Sequence, residues 1–391
     1  MIIKNAEIHT MDDNNTVIKN GYICFSDGKI SEIGEMSEFH NDNTEVIDAN
    51  GKQLYPGFVD AHTHLGMFED SLTFEGDDGN EDTDPITPQL RAIDAINPFD
   101  KYFDEALSAG VTTVLSGPGS ANPIAGQIAA IKTFGKRIDN MIVKAPVAIK
   151  FALGENPKST YSDKSQSPVT RMATASLIRE ALEKAKNYYI DKQNYISDKE
   201  NYDKPEYDAK HEALIPLFKK EIAAHFHAHR ADDIFTAIRI SKEFDINCVI
   251  VHATDGHLIC EELISDGVSV LSGPFMTDRS KPELKNLTPR SPSIMSENGI
   301  PTAIITDHPE TPIQYLPLCA AVAVREGMDR TQALRAITIT PSKICGISDR
   351  VGSIEKGKDA DILMFDGNPL DIVNKPVMVM INGKIVKNLS L

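Results

Sequence analysis

Two histidines, His62 and His64, close an apolar run in Tyr55-Pro-Gly-Phe-Val-Asp60-Ala-His62-Thr-His64-Leu-Gly66. Side chains on a strand alternate faces, so Asp60, His62 and His64 share one face of a strand that Gly66 ends. Two imidazoles on one face at a strand end meet one metal ion, and imidazole suits Zn, Fe, Ni or Cu. An isolated His-x-His is as often a pair of ordinary surface or core histidines. The metal reading therefore depends on partners elsewhere in the chain.

Three further segments offer them. Ala224-His225-Phe-His227-Ala-His229-Arg230 sets three histidines on one face. Val249-Ile-Val-His252 sets a histidine after an apolar run, and Ile304-Ile-Thr-Asp307-His308 sets Asp307 likewise. Ligands from the C-terminal ends of separate barrel strands surround one point at the barrel mouth. Imidazole and carboxylate without thiolate fit a hydrolytic metal site better than a structural zinc site.

A fourth segment bears on the metal count. In Ala148-Ile-Lys150-Phe-Ala-Leu153, Ile149, Phe151 and Leu153 form a face suited to helices, while Lys150 shares the other with Ala148 and Ala152. A buried lysine needs a partner or must lose its charge. One solution is carbamylation, which makes it a carboxylate-like ligand able to bridge two metals. The plainer one is a buried ion pair. Glu155, just past the strand, is the alternative ligand, and only one of Lys150 and Glu155 is expected to bind metal.

These residues need elements to hold them. From Tyr55 to Asp307 about eight strands alternate with helical stretches, the size and pattern of a barrel. An α/β fold is expected: a (β/α)8 TIM-type barrel over residues 55–345. An open doubly wound sheet is the alternative, but no Gly-x-Gly-x-x-Gly turn marks a nucleotide site. Both chain ends read as short strands, with hairpin signals at Asp27-Gly28 and Asn382-Gly383. Residues 1–54, with a strand over Thr44–Asp48, and 346–391 are expected to pair into a small β-sandwich-like domain. Glu69 to Asn97 is a long polar loop, either a binding lid or a solvated acidic excursion. Residues 167–222 read as a polar helical region with an exposed insertion.

The chain has 391 residues, 41% hydrophobic and 25% charged, ordinary for a globular protein. A net charge of −17 disfavours nucleic acid, which is bound by Lys and Arg clusters. No run of about 18 apolar residues marks a membrane span, and the N-terminus lacks the pattern of a signal peptide. Five scattered cysteines, none in a Cys-x-x-Cys pair, read as reduced thiols. A cytoplasmic location and a small-molecule substrate are expected. A homo-oligomer stays open.

With these residues in place, the chain resembles the amidohydrolase superfamily of metal-dependent hydrolases, in particular its imidazolonepropionase-like branch. The carriers are Pro56-Gly-Phe-Val-Asp60-Ala-His62-Thr-His64, Gly110-Val-Thr-Thr-Val114, His227-Ala-His229-Arg230, Val251-His252, Thr306-Asp307-His308-Pro309 and Gly352-Ser-Ile354-Glu-Lys-Gly357-Lys-Asp-Ala360-Asp361. The resemblance implies that His62, His64 and Asp307 hold the more buried metal and His227 and His252 a second. Asp307 would also be the general base, with His229 or Arg230 contacting substrate. His257 and His308 match no ligand position. The implied cofactor is one or two divalent ions, zinc first, with Fe, Mn or Ni as alternatives. The implied reaction is hydrolysis of a C–N bond in an amide, cyclic amide or peptide-like substrate by metal-activated water. A one-metal deaminase of amino-heterocycles is the alternative, and a non-catalytic scaffold a third reading. Substrate selectivity is expected in the loops 66–97 and 272–292.

Overall fold

The computed structural model describes residues 1–40, 45–70 and 73–388. Thr44 of the expected strand, Ser71 and Leu72 of the long loop, and the last three residues lie outside the described residues.

Eight strands form the central sheet, in spatial order of sequence: Phe58–Thr63, Val111–Ser116, Ile124–Lys132, Ile142–Ala152, Ala223–Ala228, Cys248–His252, Ser269–Ser272 and Thr302–Ile304. Backbone bonds from Asp307 N–H to the His62 carbonyl (3.2 Å) and from His64 N–H to the His308 carbonyl (2.9 Å) draw the first and last strands together. The result is the expected barrel with helices. One strand, Ile124–Lys132, runs antiparallel to both neighbours. The connection from Ser116 to Ile124 is too short for the dozen or more residues of a parallel crossover, so the chain turns straight back.

The crossover helices follow from sequence period. In Ala231–Phe244, Ile234, Ala237, Ile238, Ile240, Ser241 and Phe244 are buried, the three-to-four spacing of one helical face. They pack with Ala224, Phe226 and Ala228, the outward face of the neighbouring strand, and with Ile149, Phe151 and Leu153. Each buried Ile or Phe contributes about 1.5–3 kcal/mol. The same alternation leaves His225, His227 and His229 on the inward face. Asp245, in the left-handed conformation, ends this helix.

The helical region after the fourth strand resolves into Arg171–Ser197 and Ala209–Phe218. The Thr170 side chain caps the first by accepting the Ala173 N–H (3.1 Å).

The chain ends form a second eight-stranded sheet. Gln53–Pro56 pairs in parallel with Ile2–His9 and antiparallel with Ile362–Phe365, so the first and last parts of the chain interleave. Lys132, on a barrel strand, makes buried ion pairs with Asp361 (2.5 Å) and Asp359 (3.0 Å), and Asp359 also holds Lys29 (2.6 Å) and Arg350 (2.8 Å). This network fastens the small sheet to the barrel.

Candidate metal centre

Two groups of potential ligands meet at the mouth of the barrel. His62, His64 and Asp307 form one, and His227, His229 and His252 the other; within each group the ligand atoms lie within 4.8 Å of one another. In the first group the Nε2 atoms of His62 and His64 converge on one oxygen of Asp307, at 3.2 and 3.3 Å. The rings of His62 and His252 lie 5.6 Å apart, edge to face, which joins the two groups.

Backbone carbonyls select the tautomers. His64 Nδ1–H donates to the Gly117 carbonyl and His252 Nδ1–H to the Gly273 carbonyl, both at 2.7 Å. Their Nε2 lone pairs are thereby turned to the centre, the usual arrangement for a metal-binding imidazole. His229 Nδ1 pairs with the Thr254 hydroxyl at 2.8 Å. These supporting atoms were not anticipated from sequence. The glycines of Ser116-Gly-Pro-Gly119 and Gly273-Pro274 were the available signal.

Backbone strain accompanies the site. Asp307 and His252 have φ of +53° and +76°, in the left-handed region. Non-glycine residues there cost of order 1–3 kcal/mol and cluster where function demands them. At His252 the turn takes the side chain out of the alternation that would set it beside Ile250 on the helix-facing side. A register shift between Asp60 and Thr63 likewise interrupts the first strand. The Asp60 carboxylate accepts the Thr306 hydroxyl (2.6 Å) and N–H (3.1 Å) and the His62 N–H (3.2 Å). It thus ties the two ligand-bearing strands together without joining either ligand group. Burial pushes it up to about 7.

Burial dominates the electrostatics. It holds His62, His227 and His252 well below the ordinary histidine value, with the Lys150 charge adding to the effect and Asp307 opposing it at His62 and His252. His229 is lowered to about 3 by burial first and the Lys281 charge second. Neutral imidazoles are the metal-binding form. For Asp307, burial opposes ionisation, but the neighbouring His252, His62 and His64 rings prevail and hold it well below the carboxylate range. Both nitrogens of His227 are buried with no partner among the described residues. Three neutral imidazoles around one point, one of them unpartnered, suit a divalent cation, as does the carboxylate joined by two imidazoles.

Lys150 sits at the same place. It is completely buried, and its ammonium donates to His62 Nε2 at 3.0 Å. Among the described residues it has no carboxylate within ion-pair distance. Burial lowers it to about 8. Glu155 is carried elsewhere: Gly154, at φ +85°, turns the chain, and Glu155 opens the helix Glu155–Ser162. Its backbone N–H donates to Glu283 (3.0 Å), and it belongs to neither ligand group.

His229 takes a place beside His227 and His252. Arg230 does not reach the centre; it is exposed and engages Asp232 through two bonds, 2.9 and 2.8 Å, at the start of the next helix. His225 lies one step below on the same strand face, both nitrogens unpartnered among the described residues. His308 is buried, accepts the Ile313 N–H (3.3 Å) and packs on Tyr102.

A cavity of about 740 Å³ opens onto the two groups. Phe68 and Asn80 of the long loop line it, as do Thr277, Ser280 and Lys281 from the segment after the seventh strand. The loop is anchored: Asn122 donates to the Glu81 carbonyl (2.7 Å) and the Thr87 hydroxyl (2.9 Å). No helix among the described residues is long and apolar enough to cross a membrane.

This is the architecture of a metal-dependent hydrolase on a barrel. The Amidohydrolase family model matches residues 54–386, and the chain belongs to that family, whose members bind divalent metal and act on C–N bonds. An amidohydrolase structure from Thermotoga maritima MSB8 is 41% identical, with a TM-score of 0.93 and coverage of 99% of both chains. Amidohydrolase tasK of Hapsidospora irregularis is 29% identical over 390 residues, 94% of this chain; the chain spans only 39% of that relative's length. An imidazolonepropionase from Fusobacterium nucleatum is 22% identical, covering 96% of this chain and 94% of the relative. The resemblance read from the motifs is thus borne out.

Proposed function

We propose that the protein hydrolyses the C–N bond of an amide, cyclic amide or peptide-like small molecule at a binuclear centre. His62, His64 and Asp307 would hold one ion, His227 and His252 the other, and carbamylated Lys150 would bridge them. The observation that carries this is Lys150, sealed against His62 with no carboxylate partner among the described residues. A plain lysine there brings a buried charge into the midst of imidazoles, whereas a carbamate supplies two oxygens to cations. Zinc is the first expectation for this donor set.

Divalent ions held there would acidify a water and polarise the scissile carbonyl. The chain's own residues do the rest. Asp307, ionised, takes the proton of the attacking water and returns it to the leaving nitrogen. His229, kept neutral by burial, lines the cavity as a hydrogen-bond partner for the carbonyl oxygen. The sum is amide plus water giving carboxylic acid plus amine.

Metal analysis with intact-mass measurement tests this. Two ions per chain and the added mass of one CO2 on Lys150 are expected. One ion, an unmodified Lys150 and ammonia release from aminoheterocycles would replace this reading with the deaminase. A protein unable to bind metal would leave only a scaffold.

A further inference from the structure

The cavity in front of the ligand groups has one feature that the hydrolytic chemistry does not use. Lys281 is the only lysine or arginine lining it among the described residues. Its ammonium is fixed from two sides. Asn156, at the start of the helix Glu155–Ser162, accepts one hydrogen bond (2.7 Å), and Glu283 makes an ion pair at 3.0 Å. Asn156 is itself braced by the Ser120 hydroxyl (3.0 Å).

The two partners of the ion pair differ in what they present. The Glu283 side chain is 1% exposed, whereas that of Lys281 is 28% exposed. Glu283 Oε2 accepts the Glu155 N–H, and its Oε1 also lies 3.8 Å from His229 Nε2. The carboxylate is thus sealed behind the cavity wall, and the cation is what a ligand meets. An ammonium has three donors. Asn156 takes one, and Glu283 Oε1 lies at ion-pair distance without accepting a hydrogen bond, so donor capacity is left for a ligand. Gly154 keeps the arrangement possible: a Cβ there would come within 2.9 Å of Glu283 Oε2.

A structural salt bridge alone does not need this placement. A lysine serving only to neutralise Glu283 would have no need to line the substrate cavity with 28% of its side chain exposed. The neighbouring wall, with Ser120, Ser280, Asn156 and Thr277, is rich in neutral hydrogen-bonding groups. Such a wall suits a polar ligand and not an apolar one. Glu310 and Asp278 also line the cavity. Against these carboxylates, Lys281 is the one side-chain cation among the described lining residues that can select an anion.

We propose that Lys281 is a specificity-determining residue that anchors a carboxylate of the substrate. The substrate class becomes a small amide bearing a free carboxylate, such as an N-acyl amino acid. The proposal rests on the hydrolytic reading above for the position of the scissile bond, but binding tests it independently of turnover.

The probes are N-acetyl amino acids and the matched N-acetyl amino acid carboxamides, which differ only in charge at one end. Binding to the zinc-loaded protein is measured by calorimetry, and hydrolysis by amine release. The wild type is expected to bind the acids about 10- to 100-fold better than the amides, the scale of one charge-assisted hydrogen bond. Lys281→Met alone would strand the Glu283 charge, so K281M/E283Q is the informative variant. Its acid-to-amide ratio should fall to about one, and Lys281→Arg should recover part of the preference. A wild-type ratio near one overturns the proposal, as does a preference that survives in K281M/E283Q or the absence of binding by any member of the panel. Lys281-dependent binding of acids without hydrolysis would instead spare this proposal and refute the hydrolytic reading.

Discussion

Replacing Lys150 with Met is expected to stabilise the metal-free protein while disabling the metal-loaded one. Burial pushes the Lys150 ammonium down from 10.5 to about 8, with the charge of Asp307 only partly opposing it. Holding the charge in the folded state at pH 7 therefore costs about 3 kcal/mol. Between pH 8 and pH 10.5 the unfolded chain binds more protons than the folded one, so stability rises with pH through that window. The penalty is fully present below it. Met is similar in length, carries no charge and meets Ala148 and Ala152 on the same strand face. Losing the bond to His62 returns about 1 kcal/mol. The net gain is then about 2 kcal/mol at pH 7, fading toward pH 10.5. Urea unfolding of metal-stripped wild type and K150M at both pH values measures it. Reconstitution with zinc should then show K150M holding fewer ions and losing turnover. A metal-free K150M less stable than wild type at pH 7, or a variant with full metal content and activity, would refute the reasoning.

Asp307→Asn removes the proton acceptor but keeps the shape, and kcat should fall by about 10²- to 10⁴-fold. Metal on the His227–His252 side should remain; an active Asp307→Asn protein would remove the general-base role. Lys132→Met leaves Asp361 facing a buried cation's former place and should cost about 3–5 kcal/mol in thermal or urea unfolding. A loss below about 1 kcal/mol would show that the Asn382 N–H suffices for Asp361 and that Lys29 and Arg350 suffice for Asp359. Asp359 supplies the pH test. Burial pushes it up, but the Lys132 charge and the bonds from Lys29 and Lys132 outweigh this and hold it below 3.8. Its stabilisation is therefore present above pH 3.8 and is lost as pH falls through the lower folded value. Asp359→Asn should lower stability at neutral pH and flatten the acid limb of the stability curve. An unchanged acid limb would mean another carboxylate governs it.

What could be read from sequence was set by where periodicity survives. His227 and His229 alternate with Ala228, and Lys150 with Phe151, inside regular strands, so parity alone assigned their faces. Parity stops where the chain leaves the strand. Arg230 adjoins His229 in sequence, yet the backbone has begun to enter a helix and turns the guanidinium to Asp232. Glu155 is only a few residues past Ala152, but Gly154 redirects it. The direction of Ile124–Lys132 was equally hidden. Its run of alanine and isoleucine reads as strand or helix, and only the short connection before it dictates a reversed strand. The loop 272–292 was expected to carry selectivity, but nothing singled out Lys281 within it, because its placement depends on Asn156, which is remote in sequence. His225 and His227 were legible because one strand period governs them, and His64 and His252 because each lies at the end of a strand that an apolar run marks. The candidate specificity residue was not, because it depends on three segments meeting. In a barrel of this kind the shared chemistry therefore resides in strand ends, where sequence reports it. Substrate choice resides in loops, where only the assembled fold does.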